Sequence, residues 1–217
     1  MGRMTIRIHV YVDGFNLYYG AVKDTPYRWL DLQRFFALLR PHDDVRVIHY
    51  FTALIEGPHA SHQETYLRAL ATLPKINVVL GRFKPKSVKC QVAACEHKGS
   101  RIFRMPEEKQ TDVLIAVTMI RDAYENACEG FVLVSGDTDL VPAVKAVKSI
   151  SKESKAIVYV PAREIYPDSP SPRGFAVELR TAADKARILP NQLIKRAQFP
   201  NTISDGFGGI IHKPPSW

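Results

Sequence analysis

Apolar and polar positions divide the chain into segments of two periods. Residues 6–12 (IRIHVYV) alternate β-branched and apolar residues with others, the pattern of a strand, and Asp13-Gly14 breaks it. Residues 30–39 carry apolar positions at helical spacing, with Asp31 in the first turn and Pro41 just past the end. Residues 45–55 (VRVIHYFTALI) read as a second strand stopped by Gly57-Pro58, and residues 60–73 as a helix stopped by Pro74. A third strand spans 76–83, and after an irregular stretch a long helix is expected over 107–128, with Val113, Ala116, Val117 and Ile120 on one stripe. Residues 131–134 (FVLV) are apolar throughout, as in a strand buried on both faces. A helix over 138–150, a strand over 156–160, a Pro/Ser-rich loop over 161–172 and a last helix over 176–188 complete the reading.

Strands that alternate with helices of ten residues or more predict an α/β fold, a mostly parallel sheet flanked by helices on both faces. The expected organisation is one domain over 1–198 with an insert at about 84–105, and a Gly- and Pro-rich, loose tail over 199–217. No internal repeat is visible. In sheets of this kind ligands bind beyond the carboxyl ends of the strands, near a switch in strand order. Residues at those ends are therefore the first candidates for chemistry.

Asp13 ends the first strand, within Tyr11-Val12-Asp13-Gly14-Phe15-Asn16. Asp137 and Asp139 follow the FVLV strand, within Ser135-Gly136-Asp137-Thr138-Asp139, and Asp112 stands near the start of the helix that feeds that strand. Singly, each has an ordinary role: Asp13-Gly14 as a turn pair, Asp137 and Asp139 as a turn and a helix cap, Asp112 as a solvated or capping residue. Jointly they favour a site, because neighbouring strands would bring the carboxylates to one rim. Packed carboxylates repel, so their pKa values rise or a cation neutralises them. Oxygen ligands without nearby Cys or His suit Mg²⁺ or Mn²⁺. Such an ion lowers the pKa of water and screens a phosphodiester during in-line displacement. Asn16 is a neutral companion able to position a ligand, a water or a carboxylate.

Charge changes the picture at one place. The chain of 217 residues carries a net charge of +8, and most of that excess lies in the insert. Arg82, Lys84, Lys86, Lys89, Lys98, Arg101 and Arg104 stand there against the single acid Glu96, flanked by Phe83 and Phe103. Lys and Arg neutralise phosphates, and adjacent aromatics stack single-stranded bases; the plainer reading is a solvated loop. Hydrophobic residues at 46% and charged residues at 24% argue against wholesale disorder. No apolar run approaches the roughly 18 residues of a membrane span, and no apolar leader precedes the first strand. Three cysteines are too few for a disulfide framework, so a reducing cytoplasm is expected.

Three segments together resemble a known family. Tyr11-Val12-Asp13-Gly14-Phe15-Asn16-Leu17, Glu107-Glu108-Lys109-Gln110-Thr111-Asp112-Val113 and Leu133-Val134-Ser135-Gly136-Asp137-Thr138-Asp139-Leu140 look like the NYN domain family, its LabA-like branch, relatives of PIN-domain nucleases. The resemblance runs from about residue 5 to about 190. It implies a Rossmann-like PIN/NYN fold and metal-dependent ribonuclease chemistry, with Asp13, Asp112, Asp137 and Asp139 at the family's acidic positions and Asn16 as their polar companion. The insert lies outside the motifs and inherits no role.

The sequence therefore leads to a metal-dependent endoribonuclease of the cytoplasm acting on single-stranded or loop RNA. Asp13, Asp112, Asp137 and Asp139 would hold Mg²⁺ or Mn²⁺, and the basic insert would track the RNA backbone. The alternative is an inactive RNA-binding or protein-interaction module on the same fold. A membrane partner is not expected; a homodimer is compatible with the sequence. Cys90-x4-Cys95-x-His97 lacks a fourth zinc ligand and reads as incidental. A haloacid-dehalogenase-type phosphatase needs a second Asp two residues after its nucleophile, and position 15 is Phe. No Gly-x-x-x-x-Gly-Lys phosphate loop occurs, and the glycines at 206–209 follow no strand.

Overall fold

A computed structural model describes residues 5–92, 95–162, 177–215 and 217. The chain runs β1 (Arg7–Asp13), α1 (Gly14–Leu17), a π-helical turn (Tyr18–Val22), α2 (Leu32–Leu39), β2 (Asp44–Thr52), α3 (Ala60–Ala71) and β3 (Ile76–Leu80). A hairpin follows, β4 (Arg82–Lys89) and β5 (Ile102–Lys109), then α4 (Thr111–Tyr124) and β6 (Gly130–Val134). A 3-10 turn (Thr138–Leu140) leads into α5 (Val141–Ile150), β7 (Lys155–Val160), α6 (Val177–Ala182), β8 (Lys185–Ile188), α7 (Asn191–Arg196), β9 (Thr202–Ser204) and β10 (Ile210–His212).

Six strands form one parallel sheet in the order β3-β2-β1-β6-β7-β8. This is the doubly wound, Rossmann-like α/β arrangement, and its order reverses between β1 and β6. The alternation along β1 explains the two layers. Ile8, Val10 and Val12 point into a core shared with Trp29, Phe35, Phe36 and Leu70, the side of α2 and α3. Tyr11 points the other way, into a core with Ile115, Met119, Val144 and Leu179 from α4, α5 and α6. All five residues of β6 are buried, as its unbroken apolar run requires.

Four expectations change. Residues 185–188 pair with β7 as the sheet's last strand instead of continuing a helix, because edge pairing satisfies their backbone at little cost in packing. Residues 107–109 belong to β5, so α4 starts only at Thr111. On α4 the packed face carries Ile115, Met119 and Ala123, whereas Val113 and Val117 of the anticipated stripe are exposed. The tail, rich in Gly and Pro, is not loose: β9 and β10 pair, Phe199 and Ile211 are buried, and Trp217 packs on Trp29 and Tyr66. The basic insert, unassigned from sequence, is the antiparallel β4–β5 hairpin. Most of the Pro/Ser-rich stretch lies outside the described residues.

Candidate functional site

The switch between β1 and β6 puts the end of each strand beside the other, Val12 opposite Val134. Asp13, one residue beyond, is buried. Its Oδ1 accepts from the Asn16 backbone N–H at 2.9 Å, and its Oδ2 accepts from Asn16 Nδ2 at 2.7 Å and Ser135 Oγ at 3.1 Å. Asn16 Oδ1 in turn accepts from the Gly136 N–H at 3.1 Å, so this one side chain ties the two strand ends together. The Asp137 N–H donates to Ser135 Oγ at 3.1 Å, and Asp137 Oδ1 accepts from the Asp139 N–H at 2.9 Å. Gly14 is required by close approach: a Cβ there would lie 2.7 Å from the Phe51 carbonyl oxygen and 2.8 Å from the Tyr50 ring.

Asp112 comes from the first turn of α4. Gln110, with φ of 81°, swings the chain from the hairpin into the helix. Glu108 accepts from the Thr111 N–H at 3.1 Å and from its hydroxyl, fixing that junction. Burial raises the Asp112 carboxyl to about 6, with further upward pushes from Asp137, Asp13, Glu108 and Asp139. Asp13 is also raised, chiefly by burial and in addition by Asp137, against the lowering effect of its hydrogen bonds to Asn16 and Ser135. The other three sequence-derived carboxylates thus lie within electrostatic reach of Asp112. They do not, however, bring three donor atoms within 4.8 Å of one another.

Among the described residues, the three donors that do meet within 4.8 Å are His9, His49 and Asp122. This geometry fits a divalent metal site. Asp122 Oδ2 accepts from His9 Nδ1 and from the Tyr11 hydroxyl, each at 2.8 Å, and Arg121 donates to Oδ1 at 3.1 Å. His49 Nε2 lies 3.6 Å from Asp122 Oδ2, is buried and makes no hydrogen bond, while its Nδ1 meets Asn77 Nδ2 at 2.9 Å. Burial would raise the Asp122 carboxyl, but the nearby His49 ring and the hydrogen bonds from His9, Tyr11 and Arg121 hold it well below the usual carboxylate range. Ten residues of helix separate Asp122 from Asp112, roughly 15 Å, so the two clusters occupy opposite ends of α4.

Sequence reasoning did not single out His9, His49, Asp122, Ser135 or Glu108. A signal existed for two of them: His9, like Tyr11, is polar at a strand position that shares a face with Asp13, and His49 sits opposite Tyr11 in β2.

In the hairpin, register sorts the basic residues. Phe83 pairs with Glu108, Ser87 with Arg104 and Lys89 with Ile102, so these side chains share one face. Phe83 packs edge-on against Phe15, 5.7 Å between centroids, which turns this face toward the carboxylates. Arg82, Lys84 and Lys86 lie on the opposite face, where Lys86 pairs with Glu107 at 2.6 Å. Lys98 and Arg101 belong to the tip, and Arg101 donates to the Val92 carbonyl. Cys90 and Cys95 are free, half-buried thiols there.

A cavity of about 440 Å³ adjoins the carboxylates, lined by Gly14, Phe15, Tyr18, Tyr19, Tyr66 and Trp217 among others. Tyr50 forms part of its wall, and its hydroxyl is pushed up by burial and then by the charge of Asp13.

The model of the NYN domain matches residues 7–189. The chain belongs to the NYN family. This NYN chain is 30% identical over 175 residues to the 6-hydroxy-3-succinoylpyridine 3-monooxygenase HspA of Pseudomonas putida, an alignment taking in 66% of this chain and 56% of that protein. The chain thus spans little more than half the length of that relative. In fold it is similar to a protein of unknown function from Vibrio parahaemolyticus, with a TM-score of 0.54 and 20% identity over 88% of this chain and 97% of that one. No helix among the described residues is long and apolar enough to cross a membrane.

Proposed function

We propose that this NYN domain is a metal-dependent ribonuclease whose centre is built by Asp13, Asp112, Asp137 and Asp139. One observation supports the reading: carboxylates from the end of β1, the start of α4 and the turn after β6 act on one another near the sheet's switch point, where burial raises Asp112 to about 6 and the charges of Asp137, Asp13 and Asp139 add to the rise. The donor set fits Mg²⁺ or Mn²⁺, hard ions that take oxygen ligands and, for Mg²⁺, keep several waters. When bound, the ion supplies Lewis-acid charge for in-line displacement at phosphorus. Asn16 and Ser135 hold Asp13 in one orientation, and Asp139, exposed, would complete the ion's shell or orient the attacking water. Lys89 and Arg104 lead the RNA backbone toward the crevice.

The test is cleavage of end-labelled single-stranded RNA with Mn²⁺, blocked by chelation. Asp13→Asn and Asp137→Asn abolish cleavage while the thermal midpoint stays within a few degrees of wild type. Undiminished cleavage by both variants rejects the assignment. RNA retained without turnover in Mn²⁺ makes the domain a binding module.

A second reading, hydroxylation of a small heteroaromatic ring, is favoured by the aromatic cavity beside Asp13 together with the activity named for the Pseudomonas relative. Oxygen uptake dependent on 6-hydroxy-3-succinoylpyridine, with no RNA cleavage, would establish it over the first.

A further inference from the structure

The rings at this end of the molecule form a connected row. Phe83, at the base of the hairpin, packs edge-on against Phe15 at 5.7 Å. Phe15 lies nearly parallel to Tyr19, with 6.5 Å between centroids and an interplanar angle of 21°, and Tyr19 meets Tyr18 edge-on at 5.1 Å. Phe15, Tyr18 and Tyr19 then line the cavity, whose wall continues through Tyr66 to Trp217. The row starts two residues beyond Asp13, and Gly14, next to Asp13, lines the cavity at its end.

The row is not simply core. Tyr19 is 58% exposed and Phe15 is only half-buried, although burying each ring completely would remove a large apolar area from water. Phe15 and Tyr19 lie nearly parallel, so each can offer a ring face or edge to the same passing base. Cations accompany the rings along the way. Lys23 Nζ sits 5.2 Å over Tyr19, and Arg28 sits 5.8 Å over Trp217. Lys89 and Arg104 share the hairpin face that carries Phe83. Aromatic platforms flanked by cations are the composition that binds an unpaired strand, since every base has a face to stack and every linkage a charge. A paired duplex hides its base faces and cannot use them.

We propose that this row and the cavity at its end form a base-stacking track for single-stranded RNA, with one unstacked base seated within the cavity. The proposal rests on the nuclease reading for the identity of the strand and specifies its form: the substrate is unpaired where it passes Asp13. The track does not discriminate bases by stacking alone. Strand preference therefore exceeds sequence preference.

Binding in the presence of a chelator tests this without turnover. The full chain is titrated into a fluorescein-labelled 12-nucleotide uridine RNA, into the same length of double-stranded RNA, and into a single strand carrying 2-aminopurine. The single strand is expected to bind at least tenfold more tightly than the duplex, and 2-aminopurine fluorescence to be quenched. Tyr19→Ala, an exposed position that leaves the core intact, should weaken single-strand binding about tenfold. Tyr19→Trp should restore it, and Arg104→Ala should lower the salt slope by about one. Equal affinity for duplex and single strand overturns the track. So does wild-type affinity in both Tyr19→Ala and Phe15→Ala, or occupation of the cavity by 6-hydroxy-3-succinoylpyridine with no RNA binding. The nuclease reading fails separately: stacking that depends on Tyr19 but no cleavage in Mn²⁺ removes the enzyme and leaves the track.

Discussion

Asp112→Asn should make the protein more stable and remove the proposed RNA cleavage. The wild-type carboxyl stands at about 6 instead of the ordinary 3.8, held up by burial and by Asp137, Asp13, Glu108 and Asp139. For a fully enclosed group that rise corresponds to roughly 3 kcal/mol. Asp112 is only half enclosed, so solvent screening reduces the figure to about 1 kcal/mol. The sign follows from linkage. A raised folded-state pKa means the folded protein prefers the neutral acid, so its contribution is intact below pH 4 and lost as pH rises through 6. Above pH 6 the wild type bears the full repulsion and the amide does not. In EDTA at pH 8 the variant should melt about 2–4 °C higher, and at pH 4 the two should coincide. Thermal unfolding followed by circular dichroism between pH 4 and 8 measures this. Added Mn²⁺ should then raise the wild-type midpoint and leave the variant's unchanged. An equal or lower midpoint for a natively folded Asp112→Asn at pH 8 would mean that the carboxylates do not share a crevice.

Two further substitutions probe the frame around the site. Asp122→Asn should cost about 3 kcal/mol, because it removes a buried charge that His9, Tyr11 and Arg121 all address; denaturant titration measures it. Asp122 has a depressed folded-state pKa, so the stability it gives is complete above the ordinary aspartate range and is lost only as pH falls well below it. Gly14→Ala should lower stability by at least about 2 kcal/mol and reduce cleavage, because the new methyl would meet the Phe51 carbonyl oxygen at 2.7 Å, a backbone atom that cannot swing aside; soluble Gly14→Ala with a wild-type melting curve would contradict the packing.

Most of the sheet was legible because a strand buried on both faces has no other use for seven consecutive residues such as IRIHVYV or for the unbroken FVLV. The adjacency of β1 and β6 was legible only through the acids at their ends, since nothing within a strand names its neighbour. The hairpin escaped because Pro85, Pro106 and neighbours that are all exposed or half-exposed erase the alternation a one-sided strand normally displays. Residues 185–188 escaped for a related reason: at a sheet edge packing is weak, and a stretch such as KARI carries no period. On α4 the pattern misled, because Val113 and Val117 repeat at helical spacing as cleanly as Ile115 and Met119 do, and only the tertiary contact decides which stripe is covered. Asp112 was placed correctly at the helix start, but its partner Glu108 was hidden in what read as helix.

The two clusters on α4 belong to one piece of positioning. The helix begins at the carboxyl end of the sheet, with Asp112 beside Asp13, and runs back toward the amino end, where Asp122 reaches His9 and Tyr11. His9 and Asp13 are four residues apart on β1, about 13 Å, and Asp112 and Asp122 are ten apart on the helix, about 15 Å. The two spans match closely enough for strand and helix to be joined at one end and opposed at the other. Hydrogen bonds at the amino end fix how far α4 can slide along β1, because each donor to Asp122 would otherwise be left buried and unpaired. What they fix at the carboxyl end is the separation of Asp112 from Asp13, two groups that repel and would drift apart if the helix were free. The depressed carboxyl of Asp122 and the raised carboxyl of Asp112 are therefore opposite consequences of one docking: attraction concentrated at one end of the helix holds repulsion in place at the other.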